Sequence, residues 1–187
     1  METVMTLFDE PKWDDNPCGF DEDEVDVAIP EDIIIKDILK SGKLLLSKVV
    51  ESRKILVETS QEVDEHSLES QEYKFLKIEI NVGTVFQDSY FVLQVCKRAI
   101  AVLINEIDKD AEKKYLNATK RARDQINTVL CYLQISLMGK EKYDLSKIQV
   151  PKSLLNLEKD DRHIRDAIFL RQIGENIRQI IDSFEKY

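Results

Sequence analysis

The sequence predicts an all-α fold: a four-helix, antiparallel bundle of long helices with a disordered or extended acidic N-terminal arm. Composition favours helices, because the 187 residues include only five Gly and four Pro while 34% are charged, and sandwiches or barrels need many Gly- and Pro-rich turns. Spacing favours them too, since apolar residues recur at steps of three and four after residue 30. An antiparallel bundle is the simplest way to bury four such stripes.

The first helix is predicted to begin at Glu31, directly after Pro30, where acidic side chains suit the positive end of the helix dipole. It is expected to end around residues 61–64. Gly42 lies on its apolar stripe, at a point where another helix can approach closely.

The second helix is predicted over about residues 75–107, where apolar residues keep heptad steps typical of a coiled coil. Residues 76–82 also fit a half-buried strand, because Ile78, Ile80 and Val82 alternate with polar residues. The longer window favours the helix, and the strand stays open as the alternative. The helix is apolar around so much of its circumference that we expect self-association to cover it.

The third helix is predicted over about residues 110–138, with Gly139 as its C-terminal stop. A turn at residues 105–110 is favoured over one continuous kinked rod. The last helix is expected to begin with a short piece at Ser153, to restart near Asp160 and to continue to the C-terminus.

Charge divides the chain into an arm, residues 1–30, and a helical body, residues 31–187. Residues 1–32 contain twelve acidic residues and one basic residue, Lys12, for a net charge of −11. The other 155 residues carry 26 basic and 24 acidic residues, a net charge of +2. The arm is predicted to be disordered, because it cannot bury enough apolar surface to offset chain entropy.

Large apolar residues nevertheless interrupt the acidic arm. In short recruitment segments, such residues supply contact area and the neighbouring charges supply steering. The partner-binding residues predicted in the arm are Leu7, Phe8, Trp13 and Phe20.

Catalytic, cofactor and metal motifs are not predicted. The three cysteines, Cys18, Cys96 and Cys131, are odd in number and lack paired spacing, so neither a disulfide framework nor a zinc site is expected. His66 and His163 lack the repeated Glu-x-x-His spacing of di-iron bundles. Glycine-rich phosphate loops are absent from the sequence. We therefore expect no enzyme, no cofactor and no small-molecule substrate.

A cytoplasmic location is predicted, with the nucleus open. No basic segment precedes an apolar core at the N-terminus, and no run approaches eighteen apolar residues. Neither a signal peptide nor a membrane span is therefore expected.

Basic residues on the third and fourth predicted helices support an alternative function. They would form a phosphate-contacting surface of a nucleic-acid-associated accessory factor, for example in viral replication or genome packaging. Interleaved acidic residues favour an ordinary solvated face instead. The residues concerned are Lys113, Lys114, Lys120, Arg121, Arg123, Arg171 and Arg178.

The favoured function is a non-enzymatic protein–protein interaction module. It would serve as an adaptor, scaffold or assembly subunit that uses the helical bundle and the acidic arm. The expected partner is another protein or a second copy of this chain, and no membrane is involved.

Overall fold

The computed structural model describes residues 16–19, 29–138 and 149–187, and all regular secondary structure in these ranges is helical. Within these ranges, three 3-10 turns accompany the α-helices, at Lys74–Leu76, Val82–Thr84 and Lys152–Leu154. The α-helices are α1 (Glu31–Thr59), α2 (Glu65–Leu68), α3 (Val85–Glu106), α4 (Lys113–Ser136) and α5 (Lys159–Lys186).

Most helix boundaries follow the sequence predictions. α1 begins at Glu31 and follows Pro30, as predicted. The turn predicted between the second and third helices is confirmed, because α3 ends at Glu106 and α4 begins at Lys113. A 3-10 turn at Lys152–Leu154 precedes α5, as expected for the last helix. Gly139, the predicted helix stop, lies outside the described residues.

The predicted start of the second helix is wrong, since α3 begins ten residues later, at Val85. Residues 77–81 form neither helix nor strand. Their alternation is nevertheless real: Ile78 and Ile80 are half-buried against the core, while Lys77 and Glu79 are exposed. The strand kept as the alternative is therefore not formed in the described ranges either, although the side-chain period of two that suggested it is present.

The long helices pack in antiparallel pairs. α1 packs against α4 and α5, and α3 packs against the same two helices. Contacts along each pair show the direction: Ser41 with Gln125 and Ser52 with Thr119 for α1 and α4, Glu31 with Tyr187 and Ser60 with His163 for α1 and α5, and Phe86 with Phe184 and Glu106 with Arg165 for α3 and α5.

Helices α1 and α3 consequently run in one direction and α4 and α5 in the other. Because α1 and α3 run the same way, the connection between them must travel the length of the body. We call residues 60–84, which join α1 to α3, the first connection. By contrast, α3 and α4 are joined by a short turn.

Polar side chains of α5 bind the backbone of the first connection. Three amides spaced four and three residues apart lie on one face of α5. Gln172 binds both backbone groups of Tyr73 at 2.8 and 3.1 Å, Asn176 donates to the Leu76 carbonyl at 2.9 Å, and Gln179, with its amide oriented to pair both atoms, donates to the Ile78 carbonyl at 3.0 Å and accepts from the Ile80 N–H at 2.9 Å. These bonds replace the partner strand that residues 77–81 lack.

The first connection also covers part of α3. The 3-10 turns at Lys74–Leu76 and Val82–Thr84 pack on α3, and α4 and α5 pack on it as well. As a result, α3 contributes none of the large apolar side chains that are exposed among the described residues. The apolar circumference of α3, which motivated the expectation of self-association, is therefore buried within the chain. No helix in the described ranges is long and apolar enough to span a membrane.

The close approach predicted at Gly42 is confirmed. A Cβ atom at this position would lie 3.3 Å from Cγ1 of Ile181 on α5. Glycine therefore lets α1 and α5 pack closely here.

We predict that Asn176→Ala lowers the free energy of unfolding by about 1–3 kcal/mol, because the buried carbonyl of Leu76 loses its hydrogen-bond donor. Urea unfolding followed by circular dichroism measures the change. Glu175→Ala on the exposed side of the same helix is the control, with an expected change below about 0.5 kcal/mol. Equal stability of the two variants would contradict the role assigned to Asn176.

Candidate functional site

A group of polar side chains, which we call the end cluster, lies where α1 and α3 end and α4 and α5 begin. Most of its members are buried, and they come from four different helices or helix ends. The end cluster consists of Ser60, Glu62, Glu106, Glu112, Tyr115, Arg162, His163, Arg165 and Asp166.

Arg165 and Asp166 form the most deeply buried charged pair, with 1% and 0% of their surfaces exposed. Arg165 contacts Asp166 at 2.5 Å and Glu106 at 2.7 Å, and the Tyr115 hydroxyl donates to Asp166 at 3.2 Å. Burial raises the pKa of Asp166, although the charge of Arg165 opposes the shift. Removing either Arg165 or Asp166 would leave a buried charge without its partner. Because Arg165 also contacts Glu106 of α3 and Asp166 also contacts Tyr115 of α4, the pair holds α5 against both helices.

His163 joins the end of α1 to the start of α4. The Ser60 hydroxyl lies 2.5 Å from Nδ1 of His163, and a Glu112 carboxylate oxygen lies 2.6 Å from Nε2. A serine, a histidine and a carboxylate also form the triad of serine hydrolases, but there the serine binds Nε2 and the carboxylate binds Nδ1, the reverse of the arrangement at His163. Ser60 is also only 7% exposed, and it lines neither of the two cavities described below. We therefore assign these contacts to holding the helix ends together.

A cavity of about 500 Å³ lies beside the end cluster. Its charged lining mixes acidic and basic residues: Glu106, Asp108, Glu112, Lys159 and Arg162. Two of these charged residues are already paired with each other, since Arg162 contacts Glu112 at 2.5 Å. Within the described ranges, no group of three or more His, Cys, Asp or Glu side chains is arranged to hold a metal ion. With three acidic residues and two basic ones, the lining of this cavity has a formal charge of only −1.

A second cavity, of about 390 Å³, opens between α1 and α5, and we call it the α1–α5 groove. Its apolar lining comes from Val50, Val57, Leu170 and Gly174. Val50 is 47% exposed, which is high for an apolar side chain beside a cavity. Because Gly174 has no side chain, the groove is open above the α1–α5 contact. The groove therefore offers apolar surface that nothing in the described part of the chain covers.

Positive charge predominates around this apolar surface. Four basic residues, Arg53, Lys54, Arg171 and Arg178, line the groove with two acidic residues, Glu58 and Glu65, which gives a formal charge of +2. Three of the basic residues have ion-pair partners: Arg53 with Glu65, Lys54 with Glu58, and Arg171 with Glu175.

Arg178 differs from these three. No carboxylate of the residues that the structure describes lies within ion-pair distance of Arg178, which is exposed. Its guanidinium group lies close to Gly174, 3.9 Å from the position of a Cβ atom there. Arg178 is therefore available to an acidic ligand that enters the groove.

Helical spacing builds the groove from both sides. Val50 and Val57 are seven residues apart on α1, and Arg171 and Arg178 are seven apart on α5, so each pair lies on one helix face. The shared face of Arg171 and Arg178 was predicted from sequence. Arg53 and Lys54 were missed, although they stand between Val50 and Val57, because the sequence does not show which helix faces α5.

The basic residues predicted to contact phosphate are divided between two helices that do not pack extensively on each other within the described ranges, α4 and α5. On α4, Arg121 contacts Glu51 at 3.0 Å and Arg123 contacts Asp124 at 2.8 Å. Lys113, Lys114 and Lys120 are also on α4. The structure thus brings Arg171 and Arg178 together with Arg53 and Lys54 of α1. Nucleic-acid binding stays a prediction.

Of the arm, the structure describes residues 16–19, whereas Leu7, Phe8, Trp13 and Phe20 lie outside the described residues. Cys18 forms a disulfide with Cys131 of α4, and their Cα atoms are 4.6 Å apart. The sequence-based expectation of no disulfide is therefore wrong, because residues 113 positions apart come together only in the fold. Gln134 supports this attachment by accepting from the Cys18 N–H at 3.1 Å and donating to Asn16 at 3.0 Å.

Comparison with known proteins adds no family to this description. No family model, no curated protein and no solved structure matches the chain.

We predict that unfolding in denaturant without reductant exposes one reactive thiol, whereas unfolding with prior reduction exposes three. The single thiol is Cys96, which is fully buried, and burial raises its pKa to about 12 in the folded chain. The folded protein should therefore react slowly at pH 8. Titration with a chromogenic disulfide reagent measures the count. Three thiols without reductant would contradict the Cys18–Cys131 disulfide.

We predict that Glu112 contributes to the loss of stability in acid. Burial favours its neutral form, but hydrogen bonds from Arg162, His163 and the backbone N–H of Asp108 hold the pKa of Glu112 below its ordinary value of 4.5. A carboxyl group with a lowered pKa stabilises the fold above its unfolded pKa and loses this contribution as the pH falls through the folded pKa.

Glu112→Gln should accordingly unfold more easily at pH 7 and show a shallower loss of stability below pH 4.5. Urea unfolding over a pH series measures both effects. Glu79→Gln, at an exposed position of the first connection, is the control and should keep the slope of the parent. An unchanged slope in Glu112→Gln would contradict the assigned shift.

Proposed function

We propose that this chain is a non-enzymatic protein–protein interaction module, acting as an adaptor, scaffold or assembly subunit, and that the α1–α5 groove binds an acidic segment of a partner protein. The observation that carries the proposal is the exposed apolar surface around Val50, surrounded by a net positive charge. The segment would place one large apolar side chain in the groove and its carboxylates near Arg178.

Size and charge support this type of ligand. A cavity of about 390 Å³ is at the smaller end of the range for ligand sites, so it suits one or two side chains of a peptide. The apolar contact would supply affinity, while the surplus of basic residues would speed association and select acidic sequences. Arg53 and Arg171 are positioned by existing contacts with Glu65 and Glu175.

We also propose that α1, α3, α4 and α5 form a single antiparallel four-helix bundle, to which the acidic arm is attached. The antiparallel contacts of α1 and α3 with both α4 and α5 support this arrangement. Two long connections and one short turn are a known way to join four such helices. In this proposal the bundle presents the groove, and the arm supplies a second recruitment segment through its aromatic residues.

The proposal includes no catalytic step, and it locates the protein in the cytoplasm, as the sequence predicts. The Cys18–Cys131 disulfide makes this location worth testing. Reducing agents of the cytosol keep most cysteines as thiols, whereas oxidising compartments preserve disulfides. Thiol trapping in cells, compared with the purified protein, measures the state of this pair in its native compartment.

We predict that a labelled peptide with two aromatic residues among acidic residues binds the full chain, with fluorescence polarisation as the measurement. The assay includes a full-length Phe8→Ser, Trp13→Ser variant, so that the arm's own anchors cannot occupy the groove. Val50→Asp and Arg178→Glu should each weaken binding about tenfold, as expected for losing a central contact.

Matched controls separate the groove from general charge effects. Leu44, which is 46% exposed on α1, does not line the groove, so Leu44→Asp is the control for Val50→Asp. Arg123→Glu on α4 is the control for Arg178→Glu. Both controls should bind like the parent, and a peptide with lysines in place of its acidic residues should not bind. Absence of binding to both the parent and the Phe8→Ser, Trp13→Ser variant would refute the proposal.

A further inference from the structure

We propose that residues 1–15 of this chain occupy the α1–α5 groove of the same molecule, so that the arm masks the groove until a segment of a partner replaces it. The inference rests on the proposed function of the groove as a peptide site, and it identifies the first occupant. The groove would bind one segment at a time, from the arm or from the partner.

Residues 1–15 have the chemistry that the groove requires. They contain five acidic residues and one basic residue, for a net side-chain charge of −4, opposite to the +2 of the groove lining. Their large apolar residues farthest from Cys18, Leu7 and Phe8, match the exposed apolar surface around Val50. Phe8 is followed directly by Asp9 and Glu10, so its ring in the groove would bring carboxylates close to the basic residues.

The disulfide at Cys18 fixes where the segment starts. Cys131 lies six residues beyond Gln125 on α4, and the Gln125 amide contacts the Ser41 carbonyl of α1 at 3.4 Å. Val50 lies nine residues after Ser41 on α1. Because α1 and α4 are antiparallel, these two offsets from the Ser41–Gln125 contact add along the bundle axis. The groove therefore begins about 22 Å along this axis from the level of Cys131. The width of α1 adds about 10 Å in the perpendicular direction.

The arm is long enough to cover this distance. Phe8 precedes Cys18 by ten residues, which reach about 33 Å in extended chain. The combined offset to Val50 is about 25 Å, so Phe8 reaches the groove with chain to spare. Residues nearer the disulfide would follow the surface of α1 toward the groove.

Attachment at Cys18 also raises the effective concentration of the arm at the groove. A tether of about ten residues converts binding into an intramolecular event at effective concentrations in the millimolar range. After reduction, the arm remains connected only through the start of α1 at Glu31, which lengthens the tether. Effective concentration falls as the tether lengthens beyond the span, so reduction should release the arm in part.

Tryptophan fluorescence provides a direct measurement, because Trp13 is the single tryptophan of the chain. The probe is placed in a Phe8→Trp, Trp13→Phe variant, because position 8 reaches the groove whereas position 13, five residues from Cys18, reaches only about 17 Å. In this full-length oxidised variant, we expect blue-shifted emission and restricted quenching of the probe by acrylamide. Adding Val50→Asp or Arg178→Glu should weaken binding of the arm about tenfold and make the probe accessible to acrylamide. Adding Leu44→Asp or Arg123→Glu should leave emission and quenching unchanged. Reduction of the disulfide should raise quenching.

Several results would overturn the proposal. A probe that is as accessible in the folded Phe8→Trp, Trp13→Phe variant as in the unfolded chain would exclude burial of position 8 in the groove. Equal effects of Val50→Asp and Leu44→Asp would place the ring elsewhere. Protection that falls on dilution would assign the groove to the arm of a second copy instead of the same molecule.

The peptide assay separates this inference from the proposed function. Masking predicts tighter peptide binding by the Phe8→Ser, Trp13→Ser variant than by the parent. Equal binding by the two proteins would refute masking and leave the groove as a peptide site. A protected probe at position 8 together with no peptide binding to either protein would instead refute the partner site.

Discussion

The direction of the helices imposes the constraint on which the rest of the structure depends. Because α1 and α3 run the same way, the first connection must follow the length of the body before α3 can begin. Its buried backbone groups need hydrogen-bond partners along that path. α5 supplies them from the side chains of Gln172, Asn176 and Gln179. One face of α5 thus takes the place of a strand, while its other faces contact α1 and α3.

This division of α5 explains why polar residues are buried in it. A helix with a purely apolar interior face would pack on α1 and α3 but would leave the carbonyls of residues 73–80 unpaired. Arg171, which lines the groove, also binds the backbone of the first connection. Its guanidinium donates to the carbonyls of Glu69 and Gln71 and also contacts Glu175. The first connection therefore holds one basic residue of the groove in place, which links the folding of residues 69–80 to the binding surface.

Periodicity predicted what depends on a single helix, and it failed where distant segments meet. The start of α1 at Glu31 and the break before α4 were predicted because their signals are local. The alternation of Ile78 and Ile80 was recognised, but the partner of that segment is a set of amides about 100 residues later. The shared face of Arg171 and Arg178 was predicted, but the groove was not, because spacing reveals a shared face and not the helix opposite. Likewise, Cys18 and Cys131 have no spacing signal.

The position of the disulfide has a topological consequence. Closing residues 18–131 into a covalent ring encloses α1, the first connection, α3 and most of α4, and among the long helices that the structure describes only α5 lies outside it. In the chain-entropy model, a loop of this size removes about 4.7 kcal/mol of conformational entropy from the unfolded chain. The ring nevertheless contains a connection whose backbone is bound at residues 73, 76, 78 and 80 by side chains of α5. The covalent loop therefore limits how far α1, α3 and α4 can separate, whereas contacts with α5 determine how these three helices are finally arranged.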